Sequence, residues 1–258
     1  MSERIHPTAI VDAGAELGAG VEIGPGAIVG PQCILGDGCV IAPHAVIERN
    51  VRLGDGVKVG VGSVVGGEPQ DLKWTGEETW VEVGAGTVLR EYVTVNRGTT
   101  HSWKTVVGNA CFLMSYVHIA HDCQLADGVM ISNGTQLAGH VVIEDHAILS
   151  GLCAVHQFVH IGRHSFIGGA SRIAKDVPPF VKAVGNPTNL FGLNSIGLQR
   201  SGFSEATIRE LKQAYRLLFN SGLNLTQAVE RAHAELEMLP EVAHLLAFVE
   251  KSERGVVV

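Results

Sequence analysis

Val21-Glu22-Ile23-Gly24-Pro25-Gly26-Ala27-Ile28-Val29-Gly30-Pro31-Gln32-Cys33-Ile34-Leu35-Gly36-Asp37-Gly38-Cys39-Val40-Ile41 sets a large aliphatic at every sixth position, with a small residue four places after each. The aliphatics are Ile23, Val29, Leu35 and Ile41; the small residues include Ala27, Cys33 and Cys39. Outward from this stretch the same step holds. It begins at Ile5, runs to Val65, resumes at Val83, Leu89 and Val95, and runs again from Val107 to Ile173. Its polar occupants are Asp71, Glu77 and His101, and the register survives them. A period of six with one large and one small apolar column reads as a parallel β-helix built from hexapeptides. Each hexad is a short strand and a turn, and three hexads close a triangular coil of about 18 residues. Gly, Asp and Asn at intermediate positions suit turns that need positive φ.

Composition agrees with a stacked, turn-rich chain. Of 258 residues, 32 are glycine, and charged residues make up only 17%. No apolar run approaches the ~18–20 residues that cross a membrane. Met1-Ser2-Glu3-Arg4 leads into the repeat without an apolar segment of signal-peptide type. All five cysteines fall in the small column and none forms a CxxC pair. They read as buried small hydrophobes, with no disulfide framework or zinc site, and fit a reducing cytoplasm. A net charge of −7 argues against a general nucleic-acid binder.

The expected organisation is a β-helix over residues 1–188, with inserted loops near 66–82 and 100–105, followed by a helical unit over 189–258. Trp74, Trp80 and Trp103 all lie in the inserts, since an indole is too large for the small column. Asp176-Val177-Pro178-Pro179 ends the repeat and Gly185-Asn186-Pro187 marks the exit. Ser204 caps a helix carrying Ile208, Leu211, Tyr215 and Leu218, and Gly222 stops it. A second helix spans about Leu225 to Met238, and Pro240 opens a third. The tail Val256-Val257-Val258 carries no signal.

Residues eighteen apart stack on successive coils. His121 therefore meets Gly139 and then Gln157; Asp122 meets His140, His118 meets Gln136, and His146 meets His164. Seven of the twelve histidines lie between His118 and His164, at outward or turn positions. A neutral imidazole is the side chain best suited to take a proton near neutral pH, so His121 reads as a general base. Asp122 is placed to orient that ring. Gly139 has no side chain to obstruct its N–H, which could hold an oxyanion, a contribution of about 3 kcal/mol. The same histidines admit a zinc reading through trios drawn from His118, His121, His140 and His146. The spacing of a histidine-ligated β-helix hydratase is missing, so no metal is expected.

Several stretches carry a closer resemblance. They are Gln70-Asp71-Leu72-Lys73, Asn96-Arg97-Gly98-Thr99, His118-Ile119-Ala120-His121-Asp122-Cys123, Leu137-Ala138-Gly139-His140-Val141 and Ala154-Val155-His156-Gln157-Phe158. Asp176-Val177-Pro178-Pro179, Gly185-Asn186-Pro187 and Arg200-Ser201-Gly202-Phe203-Ser204 continue the series. In this order, and over nearly the whole length, the chain resembles the UDP-N-acetylglucosamine O-acyltransferase family of lipid A synthesis. The resemblance implies a left-handed coil, a homotrimer with sites between adjacent subunits, and no cofactor. It implies an (R)-3-hydroxyacyl-acyl carrier protein donor, with its phosphopantetheine arm as co-substrate, and a UDP-amino-sugar acceptor. By position it makes His121 the base for the sugar 3-hydroxyl, with no covalent acyl-enzyme, and Gly139 the oxyanion donor. Asp71, Lys73, Asn96, His118, His140, His156, Gln157, Asn194 and Arg200 match positions that contact donor, sugar or diphosphate. Gly169 matches the position that sets acyl length, and a glycine there implies a chain of about fourteen carbons by analogy alone.

Two positions depart from the family pattern. Asn96 stands where His-Arg-Gly-Thr is usual, and Ser201 where a second arginine precedes Gly-Phe-Ser. His121 suits a 3-hydroxy or a 3-amino acceptor, so ester and amide formation both stay open. An acidic carrier protein needs a local basic surface; Arg200, Arg209, Lys212 and Arg216 are candidates, with Arg172 and Lys175 as alternatives. Two other classes remain: a zinc-dependent hydratase of the γ-carbonic anhydrase type, and a non-catalytic β-helix scaffold.

Overall fold

The computed structural model describes residues 4–258; residues 1–3, which the expected first unit includes, lie outside them. Twenty-six short parallel strands wind from Arg4–Ile5 to Arg172–Ile173 and form three sheets, one per face of a triangular prism. The first sheet starts at Arg4–Ile5, the second at Ile10–Val11 and the third at Glu16–Leu17. Undisturbed coils pair residues eighteen apart, as in Arg4↔Glu22 and His118↔Gln136. Both apolar columns point inward: Ile23, Leu35, Ile119 and Leu137 in the large one, Ala27, Cys33 and Cys123 in the small one, all nearly inaccessible. Each fully buried aliphatic contributes roughly 1.5–3 kcal/mol. Polar members of the small column bond to a carbonyl of the next coil, Ser63 to Arg90 and Thr87 to Gly108, both at 2.7 Å. Their hydroxyls are therefore satisfied inside an apolar prism.

Both inserts leave the prism at one corner, between the second sheet and the third. Val64–Gly67 belongs to the second sheet and Trp80–Val83 to the third, so the first loop is 68–79, shorter at both ends than the sequence suggests. Trp80 is a strand residue paired with Lys104, with the Arg52 guanidinium 4.7 Å from its ring, and is not a loop residue. The second loop is 97–103, between Thr94–Asn96 and Lys104–Val107. The coil register absorbs the two loops: Lys58 pairs with Val88 and Val88 with Phe112.

The turn chemistry also differs from expectation. Many left-handed turn positions carry large residues, among them His140 (φ 63°), Phe158 (φ 62°), His146 and His164. These side chains stack along the prism corners: His146 on His164 at 5.0 Å and Tyr92 on Tyr116 at 5.1 Å. Such stacking offsets a strained φ that a periodicity argument assigns to glycine.

Beyond the coils, Val181–Gly185 and Thr188–Leu193 form an antiparallel hairpin on the end of the first sheet, spanning the division expected at 188/189. Four helices follow: α1 (Ser195–Arg200), α2 (Glu205–Asn220), α3 (Leu225–Glu235) and α4 (Pro240–Lys251). Ser204 caps α2 through Thr207 N, as its sequence predicts. Asn224 and Gln227 form a capping box on α3, which ends before the expected Met238. The tail is structural after all: Val256 and Val257 are buried, and Val257 N donates to Asp176 O at 2.8 Å. Among the described residues no helix is long and apolar enough to cross a membrane.

Candidate active site

The corner that carries both inserts also carries the turns at His121-Asp122, Gly139-His140 and Gln157-Phe158. Along it the order is first insert, second insert, then these three turns, because Thr94 pairs with His118, His118 with Gln136 and Gln136 with Ala154. The coil register therefore brings the roots of both inserts and these three turns to one corner.

His121 follows the strand His118–Ile119 and is partly buried. Its Nδ1 donates to Asp122 Oδ2 at 2.8 Å, and Nε2 meets no hydrogen-bond partner among the described residues. Asp122 is not the outward turn residue its place in the hexad suggests; its side chain is fully inaccessible. Thr99 N and Thr99 Oγ1 donate to it at 2.9 and 2.7 Å, and Ser102 donates from both its backbone N and its hydroxyl. Its own N–H donates to Thr105 Oγ1 at 2.8 Å, which holds the turn at φ 60°. Burial pushes the Asp122 carboxyl up, but the bonds from His121, Ser102 and Thr99 together outweigh it and hold the group well below the usual carboxylate range.

Gly139 is packed under the His121 ring. A Cβ there would lie 2.6 Å from Cε1 and 2.7 Å from Nε2, so only glycine admits this ring position. The N–H groups of Ala138 and His140 are spent on the coils below and above, whereas that of Gly139 meets no protein acceptor among the described residues. The side of Gly139 where a Cβ would stand is thus filled by the His121 ring, and its backbone N–H is left unspent among the described residues.

His140 stands edge-on to His121 at 5.0 Å and flat on Phe158 at 4.2 Å. Its Nδ1 is buried without a partner among the described residues, 3.8 Å from Asp122 Oδ2. Burial pushes its pKa down, against the pull of Asp122. His118 shares a 2.7 Å hydrogen bond with Thr94 Oγ1 and is likewise pushed down by burial and by His121. A cleft of about 330 Å³ opens beside this group, lined by Asp71, Lys73 and Trp74 of the first insert, Thr99 to His101 of the second, and His140 and Phe158.

The other sequence candidates are placed less uniformly. Gln157 and His156 are exposed on the next coil of this corner, with Arg254 Nη2 3.2 Å from His156 Nδ1. Asn96 is buried; its Nδ2 donates to Glu68 O at 2.7 Å and so ties down the first insert, while its Oδ1 has no hydrogen-bond partner among the described residues. Asn194 caps α1 through Gly197 N and donates to His164 O at 3.0 Å; Arg200 is exposed at the end of α1. Gly169 lies at the corner between the first and second sheets, so one chain does not bring it to His121.

Sequence reasoning missed Ser102, Thr105, His101 and Phe158. His101 as a polar occupant of an aliphatic column was the signal that this hexad had left the prism to serve the site. His101 meets His140 edge-on at 4.6 Å. The zinc trios that include His146 do not form, because His146 sits at a third corner against His164. Ligand atoms of His121, Asp122 and His140 do lie within 4.8 Å of one another. The Asp122 oxygens, however, are already taken by Thr99, Ser102 and His121, a donor set that suits an orienting carboxylate better than a metal ligand.

Comparisons with known proteins agree on one family. A model described as Udp N-acetylglucosamine O-acyltransferase, Domain 2, matches residues 176–257, and the bacterial transferase hexapeptide model matches 14–49, 32–67 and 104–139. An acyl-[acyl-carrier-protein]–UDP-N-acetylglucosamine O-acyltransferase of Anaeromyxobacter sp. (strain K) is 47% identical over 253 residues, 98% of each chain. Its counterpart in Myxococcus xanthus is 47% identical over 191 residues, 74% of each chain. The crystal structure of the UDP-N-acetylglucosamine acyltransferase from Bacteroides fragilis superposes with a TM-score of 0.97 at 39% identity, covering 98% of this chain and 99% of that one. The Acinetobacter baumannii structure superposes at 0.95 with 42% identity, covering 98% and 99%. The winding is accordingly that of a left-handed parallel β-helix. With 47% identity along almost its full length and its fold matched from the first coils to the last helix, the chain belongs to the UDP-N-acetylglucosamine O-acyltransferase family.

Proposed function

We propose that this acyltransferase moves an (R)-3-hydroxyacyl chain from an acyl carrier protein thioester to the 3-hydroxyl of UDP-N-acetylglucosamine, the opening step of lipid A synthesis. The observation that carries the chemistry is the His121–Asp122 bond of 2.8 Å, which commits Nδ1 and leaves Nε2 to act as the base, with the ring packed on Gly139. Nε2 takes the proton of the sugar hydroxyl as its oxygen attacks the thioester carbon. The carbonyl oxygen becomes an oxyanion and accepts from Gly139 N–H. Collapse breaks the C–S bond, and the imidazolium returns its proton to the departing phosphopantetheine thiolate. No acyl-enzyme forms, and no cofactor enters beyond the carrier's own arm.

In this reading Asp71, Lys73, His118, His140, His156 and Gln157 contact donor and acceptor around the cleft. Asn194, Arg200 and Gly169 reach a site only from a second copy, because they lie away from the His121 corner. The proposed assembly is a homotrimer with sites between subunits. It is supported by the exposed ridge of Tyr92 (49%), Tyr116 (62%) and Leu152 (71%) on the corner that also carries Gly169. Five free, buried thiols support operation in the cytoplasm. The test is a transfer assay with a panel of hydroxyacyl carriers against 3-hydroxy and 3-amino UDP-sugars. Ester formation abolished by His121→Ala is the expected result. Preference for the amino sugar would reassign the acceptor, and wild-type rates in His121→Ala would end the base assignment. Stoichiometric zinc in the purified protein would favour hydration chemistry.

A further inference from the structure

We propose that the second insert belongs to the catalytic apparatus: Thr99 and Ser102 are positioning residues whose hydroxyls hold the Asp122 carboxylate and, through it, select which nitrogen of His121 is basic. This inference rests on the acyl-transfer reading above.

The Asp122 side chain is fully inaccessible, yet five donors converge on it. Oδ1 accepts from Thr99 N at 2.9 Å, from Ser102 N at 3.2 Å and from the Ser102 hydroxyl, whose single proton goes to the nearer, charged carboxylate over Lys104 O at 2.9 Å. Oδ2 accepts from Thr99 Oγ1 at 2.7 Å and from His121 Nδ1 at 2.8 Å. Four of the five come from the loop 97–103, and only the last from the base itself. The loop is shaped for this task. Thr99 Oγ1 accepts from His101 N at 3.2 Å, which aims its single proton at the carboxylate. Trp103 N closes the turn on Thr99 O at 2.8 Å. A Cβ on Gly98 would collide with the Lys104 backbone, so the chain enters the loop by the one route that glycine permits.

The chemical consequence follows from the proton count. A buried carboxylate stripped of donors favours its neutral form. A neutral Asp122 would donate to His121 Nδ1, and the imidazole would then carry its proton on Nε2. That tautomer has no lone pair facing the substrate. The hydroxyls of Thr99 and Ser102 keep Asp122 an acceptor, so Nδ1 holds the proton and Nε2 stays basic. They never touch the reacting atoms.

The test pairs Thr99→Val with Ser102→Ala, which removes both hydroxyls and leaves both backbone donors. Two readouts are taken on the full chain: the ¹³Cγ carboxyl titration of Asp122, and kcat and KM across pH. The double variant should titrate Asp122 at higher pH and lose about a hundredfold in kcat. Both KM values should stay within about twofold, and the acid limb of the rate profile should move upward. Thr99→Ser and Ser102→Thr, which keep the hydroxyls, should restore both readouts. If the double variant does not fold, Ser102→Ala alone carries the same expectations at smaller size. Wild-type kcat and acid limb in the variant would overturn the inference, as would lost activity with an unmoved Asp122 titration. Absence of transfer by the wild-type protein would instead defeat the acyl-transfer reading, since the titration readout does not depend on turnover.

Discussion

His140 and Phe158, on successive coils, stack face to face with ring centroids 4.2 Å apart and planes 2° apart. Both occupy left-handed turn positions, at φ 63° and 62°. Such a conformation costs a residue with a side chain roughly 1–2 kcal/mol, and an aromatic stack returns about 0.5–1.5 kcal/mol. Phe158→Gly removes both terms. Urea denaturation should therefore place the variant within about 1 kcal/mol of wild type. Activity should not be spared, because His140 loses the surface that fixes its ring beside Asp122; a fall of about tenfold in kcat/KM is expected. Unchanged kcat/KM would show that the stack serves stability alone.

Gly139→Ala isolates the close approach beneath the base. The backbone there is not left-handed, so alanine is conformationally acceptable. Its methyl would nonetheless press on Cε1 and Nε2 of His121 and tilt the ring away from its present position. Transfer should fall by at least about a hundredfold, while the circular dichroism spectrum and Tm stay near wild type. A variant with wild-type kcat would remove the close packing of the ring on Gly139 from the mechanism; the backbone N–H is present in both proteins.

The prism was legible because its information is local and repeated: Ile23 and Ala27 declare their inward direction by spacing alone. The His121–Gly139 stacking followed from the same arithmetic. What the spacing did not reveal depends on contacts across the inserts. Asp122 looks like an exposed turn residue until Thr99 and Ser102 fold over it, and nothing in a hexad predicts where a loop outside the register will land. Asn96 is a parallel case. As a departure from a family pattern it suggested an altered sugar contact; that its Nδ2 also ties the first insert through Glu68 O is a contact no spacing announces. The Val181–Gly185 hairpin and the buried tail Val256-Val257 escaped notice because their partners are distant in sequence and too few to set a period.

A group buried as a neutral imidazole ties stability to pH. His164 is pushed down to about 4 by burial, then by the nearby charges of His146 and Arg163, with Asp145 opposing. Its unfolded value is about 6.5. Between these values the unfolded chain binds the extra proton, so stability rises with pH. The contribution is complete above about pH 6.5 and is lost as pH falls toward 4. His118 and His140 are also pushed down by burial and act with the same sign. The urea midpoint should be lower at pH 5 than at pH 7.5. His164→Phe should reduce that difference by about 1–2 kcal/mol, allowing for partial solvent screening. An equal pH dependence in the variant would remove His164 from this account.

The cysteines offer a chemical check on the small inward column. Burial pushes the Cys33 thiol up to about 11 and the Cys123 thiol up to about 12, and raises Cys39, Cys111 and Cys153 as well. Thiolate is the reactive form. All five thiols should therefore resist an aromatic disulfide reagent in native protein at pH 8 and react together in denaturant. Fast native labelling of Cys123 would mean that the coil carrying the base opens locally.

Arg97 ties the first insert to the prism, and its loss should be felt at the cleft. The side chain is 3% exposed. Its Nη1 donates to Gly66 O, and Glu48 Oε2 lies 4.0 Å away. The guanidinium carbon stands 5.7 Å from the centre of the Trp74 ring. Burial pushes the group's pKa down, and Glu48 only partly compensates. A lysine would keep the charge but lose the planar fork that serves the carbonyl and the indole face together. Arg97→Lys should cost about 2 kcal/mol of stability. It should also free the loop 68–79, where Lys73 is exposed beside Trp74. Native trypsin digestion should then cut at Lys73 faster than in wild type. KM should rise about tenfold with kcat less affected, because Asp71 and Lys73 line the cleft without touching His121. Cleavage at an unchanged rate would show that Trp74 and Asn96 hold the insert without Arg97.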